Sequence, residues 1–167
     1  MCLSNHGNIV GEYMWAAALG RDLYELLNIP FNLYGLNYRD VVRATRQRAH
    51  EDPEIRFVVR RSGHRTLRIL FARGVPRAIE LETLGILKPL GVGFEGGGDG
   101  FYALDLTPEG DLAAVCQRLE RWVALALLER YETCEARRPG SFDLPPPPRR
   151  PRVRPPSASR AEENSEP

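Results

Sequence analysis

Arg60-Arg61-Ser62-Gly63-His64-Arg65-Thr66-Leu67-Arg68 is the stretch on which the reading of this chain turns. Residues 55–61 and 64–71 around it are rich in β-branched and aromatic side chains, so each reads as a strand. Ser62-Gly63 between them predicts a tight β-hairpin, because glycine supplies the positive φ of a two-residue turn. In such a hairpin Arg61 stands opposite His64, and Arg60 opposite Arg65. Alternation puts Phe57, Val59, Arg61, His64, Thr66 and Arg68 on one face. Val58, Arg60, Arg65, Leu67, Ile69 and Phe71 take the other. Like charges opposite each other cost up to about 1 kcal/mol. An anion reverses that sign, since guanidinium groups bind phosphate or carboxylate through paired donors. Arg60, Arg61, His64, Arg65 and Arg68 are therefore the candidate binding residues. A solvated basic tip is the plainer alternative.

With 167 residues, 43% of them hydrophobic, the chain can bury a core over one or two small domains. No apolar run approaches the roughly 18 residues of a membrane span. Met1-Cys2-Leu3-Ser4-Asn5-His6 lacks the basic-then-apolar order of a secretory signal. Cys2, Cys116 and Cys134 show no CxxC spacing, which supports neither a zinc site nor a disulfide framework and points to a reducing cytoplasm. No cofactor motif is present: Gly96-Gly97-Gly98-Asp99-Gly100 has no Gly-Lys-Ser/Thr after it and reads as a turn. The net charge of +1 hides a polarity. Residues 39–77 hold 11 arginines against 4 acids, whereas residues 78–136 hold 4 basic residues against 11 acids. Such halves complement each other or steer a charged partner.

Taken in order, 13–19 and 23–29 read as two strands about a Gly-Arg-Asp turn, with a single helix over 13–27 as the competitor. Pro30 stops the second strand. An irregular crossing through Phe31-Asn32-Leu33-Tyr34-Gly35-Leu36-Asn37 follows, whose aromatics cover the end of a barrel or, less simply, line a pocket. Residues 38–46 make the next strand, and His50 lies in a polar loop. A helix is expected over 76–90 with Ile79, Thr83, Ile86, Leu87 and Leu90 on its buried stripe. A second glycine-rich hairpin joins 92–95 to 101–106. Thr107-Pro108-Glu109 then opens a helix that buries Leu112, Val115, Cys116, Leu119, Trp122, Val123 and Ala126. Residues 130–135 supply a last strand.

This order predicts an α+β fold: a small antiparallel sheet or partial barrel over 1–62, then a ferredoxin-like βαββαβ unit over 63–136. Residues 137–167, with Pro145-Pro146-Pro147-Pro148 and a Ser/Glu-rich end, are expected to form a disordered tail.

Several pieces resemble a known family. They are Trp15-Ala16 before the Gly-Arg-Asp turn, Leu23-Tyr24-Glu25-Leu26-Leu27-Asn28-Ile29-Pro30-Phe31, Gly35-Leu36 with Asp40-Val41-Val42, and Arg61-Ser62-Gly63-His64-Arg65-Thr66-Leu67-Arg68. They are similar to landmarks of small bacterial proteins catalogued as domain of unknown function 4265 (DUF4265). The likeness covers roughly residues 12–135. It implies a bacterial, soluble, cytoplasmic protein and a further strand before Trp15, which residues 1–11 do not clearly provide. No activity or catalytic residue comes with it.

Three functions remain open. The first is a non-enzymatic binding or regulatory module whose basic hairpin engages an anionic protein or ligand; RNA is less favoured because the hairpin offers no aromatic but Phe57. The second is a small hydrolase or nuclease with His64 as acid or base, Arg68 stabilising charge and Asp40 orienting His64. The third is an immunity-type protein whose acidic residues 78–136 mask a basic partner. Nothing in the sequence sets the oligomeric state.

Overall fold

The computed structural model describes residues 2–3, 12–46, 48, 50–138 and 141–142. Two short strands, β1 (Cys2–Leu3) and β2 (Glu12–Tyr13), pair antiparallel, so the strand expected before Trp15 is present. β3 (Ala16–Gly20), β4 (Leu23–Leu26), β5 (Val41–Thr45) and β6 (Glu54–Arg60) follow in sequential antiparallel order. Strands, not a helix over 13–27, thus answer the first ambiguity. The β3–β4 turn places Arg21 and Asp22 at φ 51° and 61°. β1 also lies beside β6. A segment that runs on into one edge strand and touches the other obliges the sheet to curl around Met14, Leu26, Leu33, Leu36, Val42, Ala44 and Ile55.

The deciding stretch is not a hairpin. β6 pairs only with β5, whereas β7 (Arg65–Phe71) belongs to a second antiparallel sheet. Val41, not Arg65, stands opposite Arg60, and Leu106 stands opposite Arg65. The Arg60/Arg65 repulsion therefore does not arise. Gly63 does take a positive φ of 87°. The turn, however, bends around the buried Asp40, whose carboxylate accepts from Ser62 N at 2.8 Å and from Arg61 Nη1 at 3.0 Å. A turn held to a third segment carries the chain from one sheet to the other.

The second sheet runs β10-β7-β9-β8, using β8 (Val92–Gly98), β9 (Phe101–Leu106) and β10 (Leu128–Glu132). Glycines 96–98 belong to β8; the turn proper is Asp99-Gly100, both at positive φ, as a tight hairpin requires. Helices α1 (Arg77–Gly85) and α2 (Leu112–Ala124) pack on one face, over Leu67, Ile69, Phe71, Tyr102, Leu104 and Leu106. α1 is shorter than expected, a 3₁₀ turn taking Lys88–Leu90. Its buried stripe is also rotated: Glu80, Thr83, Leu84 and Leu87 are inside, while Ile79 and Ile86 are exposed. Glu80 is tolerated because it accepts from the Tyr102 hydroxyl at 2.7 Å. α2 is capped by Asp111, whose carboxylate accepts from Ala114 N, rather than by Thr107. Val115, Leu119 and Trp122 are its buried residues; Cys116 is half-buried, and Val123 and Ala126 are exposed.

Beyond β10 the chain turns back. Ser141 is buried, and Phe142, expected in the tail, packs on the first core with its N–H donated to the Tyr34 carbonyl at 2.9 Å. The proline run and the acidic end lie outside the described residues.

A strap, a polar sheet face and an arginine-lined cleft

Alternation in the second sheet gives it one apolar face and one polar face. The helices cover the first. Thr66, Arg68 and Leu70 of β7, Phe101, Ala103 and Asp105 of β9, Glu95 of β8 and Glu132 of β10 share the second. Residues 28–40, which link β4 to β5, cross this face as a strap and meet all four strands. Ile29 N donates to Glu95 Oε1 at 3.1 Å, and Phe31 meets the Phe101 ring at 5.7 Å. The Tyr34 hydroxyl donates to Glu132. Thr66 N donates to Asn37 Oδ1 at 3.0 Å.

Two charged side chains grip the strap from opposite sides of its backbone. Arg68, 5% exposed, gives its Nε proton to the Phe31 carbonyl and its Nη2 protons to those of Pro30 (3.2 Å) and Leu33 (2.6 Å). The carboxylate of Glu12 accepts from the N–H groups of Phe31 (2.7 Å), Asn32 (2.8 Å) and Leu33 (3.1 Å). An irregular segment cannot satisfy its own backbone, and buried backbone groups must be paired. Hydrogen bonds to charged groups contribute roughly 1.5–3 kcal/mol each, so this pairing anchors to the second sheet a strap whose Leu33 and Leu36 are buried in the first core. Burial pulls the Arg68 pKa below that of a free guanidinium, against the nearby Tyr34 and Glu132. These hydrogen bonds all go to carbonyls; among the described residues no carboxylate lies within ion-pair distance of it.

The residues singled out from sequence are thus dispersed. Arg60 is exposed on β6, opposite Val41. Arg61 is committed to Asp40 and to the Gly35 carbonyl. Arg68 is buried beneath the strap. Arg65 makes only a long 3.4 Å contact with the Gly110 carbonyl. His64 does not reach Asp40: its Nδ1 lies 2.9 Å from both oxygens of Asp105, and the Tyr38 ring meets it edge-on at 5.4 Å. Burial raises the Asp105 carboxyl above its ordinary value, with the His64 contact and the Arg39 charge opposing. Ser62 Oγ donates to the Tyr38 carbonyl at 2.7 Å and accepts from the His64 backbone N–H, so it is no nucleophile for that imidazole.

Along the first half of the strap, a cleft of about 420 Å³ opens between Phe31, Asn32 and Tyr34 on one side and β7, β9 and β10 on the other. A second, of about 300 Å³, shares Tyr34 and Arg68 with it and so adjoins it. Together they are lined by Arg61, Arg65, Arg68, Arg130, Arg137 and Arg138 against the carboxylates Glu132 and Glu135. Arg68 and Arg138 both lie over the Tyr34 ring, at 4.3 and 4.8 Å. Burial alone would raise the Glu132 carboxyl, but hydrogen bonds from Tyr34 and Arg138 outweigh it and hold Glu132 below its ordinary value. Arg130 is exposed and, among the described residues, its one ion pair is with the exposed Glu129, at 3.9 Å.

Tyr34, Phe101, Arg130 and Arg138 were not candidates from sequence. The aromatics of residues 31–37 were the one available signal, since an end cover and a pocket wall use the same residue types. Tyr34 and Phe31 do the second. Among the described residues no group of three or more His, Cys, Asp and Glu is placed to hold a metal ion, and Cys116 and Cys134 are free thiols. No helix of the described residues is long and apolar enough to cross a membrane.

The profile described as "Domain of unknown function (DUF4265)" matches residues 12–128. The chain belongs to the DUF4265 family. The match takes in β2 through the first residue of β10, and with them Glu12, the strap and Arg68. A solved structure described as "Novel crystal structure of a hypothetical protein from Neisseria gonorrhoeae" is similar at a TM-score of 0.62, with 17% identity over 84% of this chain and 89% of that one. That likeness is one of fold. No curated protein matches the chain.

Proposed function

We propose that this DUF4265 chain is a non-enzymatic binding or regulatory module that holds an anionic partner in the arginine-lined cleft beside the strap. One observation carries the reading. Six arginines against two carboxylates line two adjoining clefts, and the buried member, Arg68, is satisfied by carbonyl dipoles rather than by a carboxylate. Positive potential in a concave, partly desolvated wall is focused toward the opening, where it concentrates anions. The basic residues expected at a hairpin tip act, in this reading, at a different place and with different members: Arg65, Arg130 and Arg138 face the guest, while Arg61 and Arg68 build the wall.

The architecture belongs to the same proposal. The β10-β7-β9-β8 order, with helices after β7 and after β9, supports a ferredoxin-like unit over 63–136 beside a small curled sheet over 1–62. A cytoplasmic location fits the free thiols but stays within the proposal.

Charge reversal tests it. Arg65→Glu with Arg130→Glu is expected to weaken retention of the full chain on immobilised poly-L-glutamate at least tenfold at low salt. Arg43→Glu with Arg60→Glu, the same charge change at exposed residues of β5 and β6 that line neither cleft, is expected to cost little. Equal losses for the two would show that only net charge matters and would end the cleft reading.

A second reading, a small hydrolase or nuclease, rests on the His64–Asp105 contact, in which a carboxylate orients an imidazole. It requires that turnover of an ester or phosphodiester by the wild type disappear in His64→Ala and persist in Arg130→Glu. Turnover untouched by His64→Ala would remove it.

A further inference from the structure

Strand register sets the floor of the larger cleft. Phe101 of β9 stands opposite Leu70 of β7, and Leu70 opposite Arg130 of β10. An aromatic ring, an aliphatic side chain and a guanidinium thus form one row across three adjacent strands. With neighbouring strands about 4.8 Å apart, ring and charge rise from backbone positions about 10 Å apart. In the next row, Ala103, Arg68 and Glu132, a small residue stands beside the ring and a carboxylate beside the Arg130 guanidinium.

Both ends are reinforced from the strap side. Phe31 joins Phe101 at the ring end, tilted 59° to it. Gly97 of β8 makes that corner possible: a Cβ there would fall 2.9 Å from the Phe31 ring and 3.1 Å from the Phe101 ring. Both phenylalanines remain half-buried and line the cleft. At the other end Arg138, which lies over Tyr34 and pairs with Glu132 at 3.0 Å, stands with the less engaged Arg130, and Asn32 offers an amide at the rim. Aromatic rings, of which residues 55–71 expose only Phe57, are therefore supplied here from the strap and from β9.

We infer that the cleft takes a small ligand in which a planar ring and an anionic group are joined by a short linker, the ring against Phe31 and Phe101 and the anion at Arg130 and Arg138. The inference rests on the anion-binding reading and adds the ring to it. A volume of about 420 Å³ lies within the usual range of small-ligand sites. Stacking of one base on an aromatic side chain is worth roughly tenfold or more in affinity. Two sources share the chemistry, a nucleoside monophosphate and an aryl carboxylate, and each has a ring-free counterpart.

The test is a titration of the full chain, followed by amide chemical shifts, with adenosine 5′-monophosphate against ribose 5-phosphate and with indole-3-acetate against acetate. At least one ring-bearing anion is expected to bind about tenfold more tightly than its ring-free counterpart, and the arm in which this occurs names the source. Phe101→Leu, which keeps apolar volume, is expected to abolish the preference while leaving the ring-free anion unaffected. Gly97→Ala, which displaces both rings without removing either, is expected to do the same. Equal affinities within both pairs would overturn the ring site and leave the anion site standing. Absence of binding by all four would overturn both. Binding of a single-stranded RNA oligonucleotide with none by the monophosphate would overturn the small-ligand assignment.

Discussion

On one face of the β10-β7-β9-β8 sheet, Leu67, Ile69, Tyr102, Leu104 and Leu106 lie under two helices, each less than 2% exposed. On the other face, Thr66, Arg68, Glu95 and Glu132 meet a loop through hydrogen bonds. The first contact is non-directional and spread over many side chains, so its strength follows the apolar area removed from water. The second is directional and concentrated in a few donors, of which Arg68 supplies three bonds. A face closed by apolar packing leaves no room for a guest. A face closed by a strap pinned at points leaves clefts between the pins, already lined by charge. The cleft is thus a consequence of how the strap is held.

That contrast yields effects of graded size. Leu104→Ala, on the helix side, is expected to cost about 4 kcal/mol in urea unfolding, as for other fully buried leucines. Arg68→Met is expected to cost about 3 kcal/mol, because it leaves three strap carbonyls without donors. Arg68→Lys is not expected to restore it, since one ammonium cannot replace a planar fork that reaches three acceptors. A variant Arg68→Met as stable as the wild type would erase the distinction between the two faces. Glu12→Gln keeps one acceptor oxygen for three N–H groups, and a loss of about 1–2 kcal/mol is expected in the same measurement.

The smallest effect concerns pH. Burial raises the Asp105 carboxyl in the folded protein despite His64. A carboxyl so raised binds its proton more tightly folded than unfolded. Its contribution to stability is therefore greatest below the ordinary value of 3.8 and declines as pH climbs through the raised folded value. Asp105→Asn removes that decline. Stability of the variant relative to the wild type should rise over this window in parallel urea titrations; a flat or falling difference would contradict the stated environment of Asp105.

The helix-side face was the more legible in sequence for the same physical reason. Leu67, Ile69 and Phe71 alternate strictly, and Val115, Leu119 and Trp122 recur at helical spacing, so periodicity alone places them. It misplaced the α1 stripe, where Glu80 is buried by a partner, Tyr102, that lies 22 residues away. The strap was not legible. Nothing local in Asn28-Ile29-Pro30-Phe31 announces that its carbonyls will be met by Arg68, 37 and 38 residues on. The same blindness produced the hairpin. Ser62-Gly63 satisfies the local rule for a two-residue turn, and only the distant Asp40, by capturing Ser62 N and Arg61, diverts the chain into the other sheet. Arginines read as free charge were in part already committed to backbone and carboxylate. Arg130, exposed and in only a long 3.9 Å contact with Glu129 among the described residues, lies on a strand where no site residue was expected.

Amide hydrogen exchange reports directly on whether charge, rather than apolar burial, seats the strap and so shapes the cleft. The quantity is the exchange rate of the Phe31, Asn32 and Leu33 amides relative to those of Tyr102 and Leu104, compared between wild type and Arg68→Met. The strap amides should gain at least about tenfold on the sheet amides in the variant, opening by themselves below the denaturant that unfolds the whole. An unchanged ratio, with strap and sheet opening in one step, would mean that the strap is held by something other than Arg68.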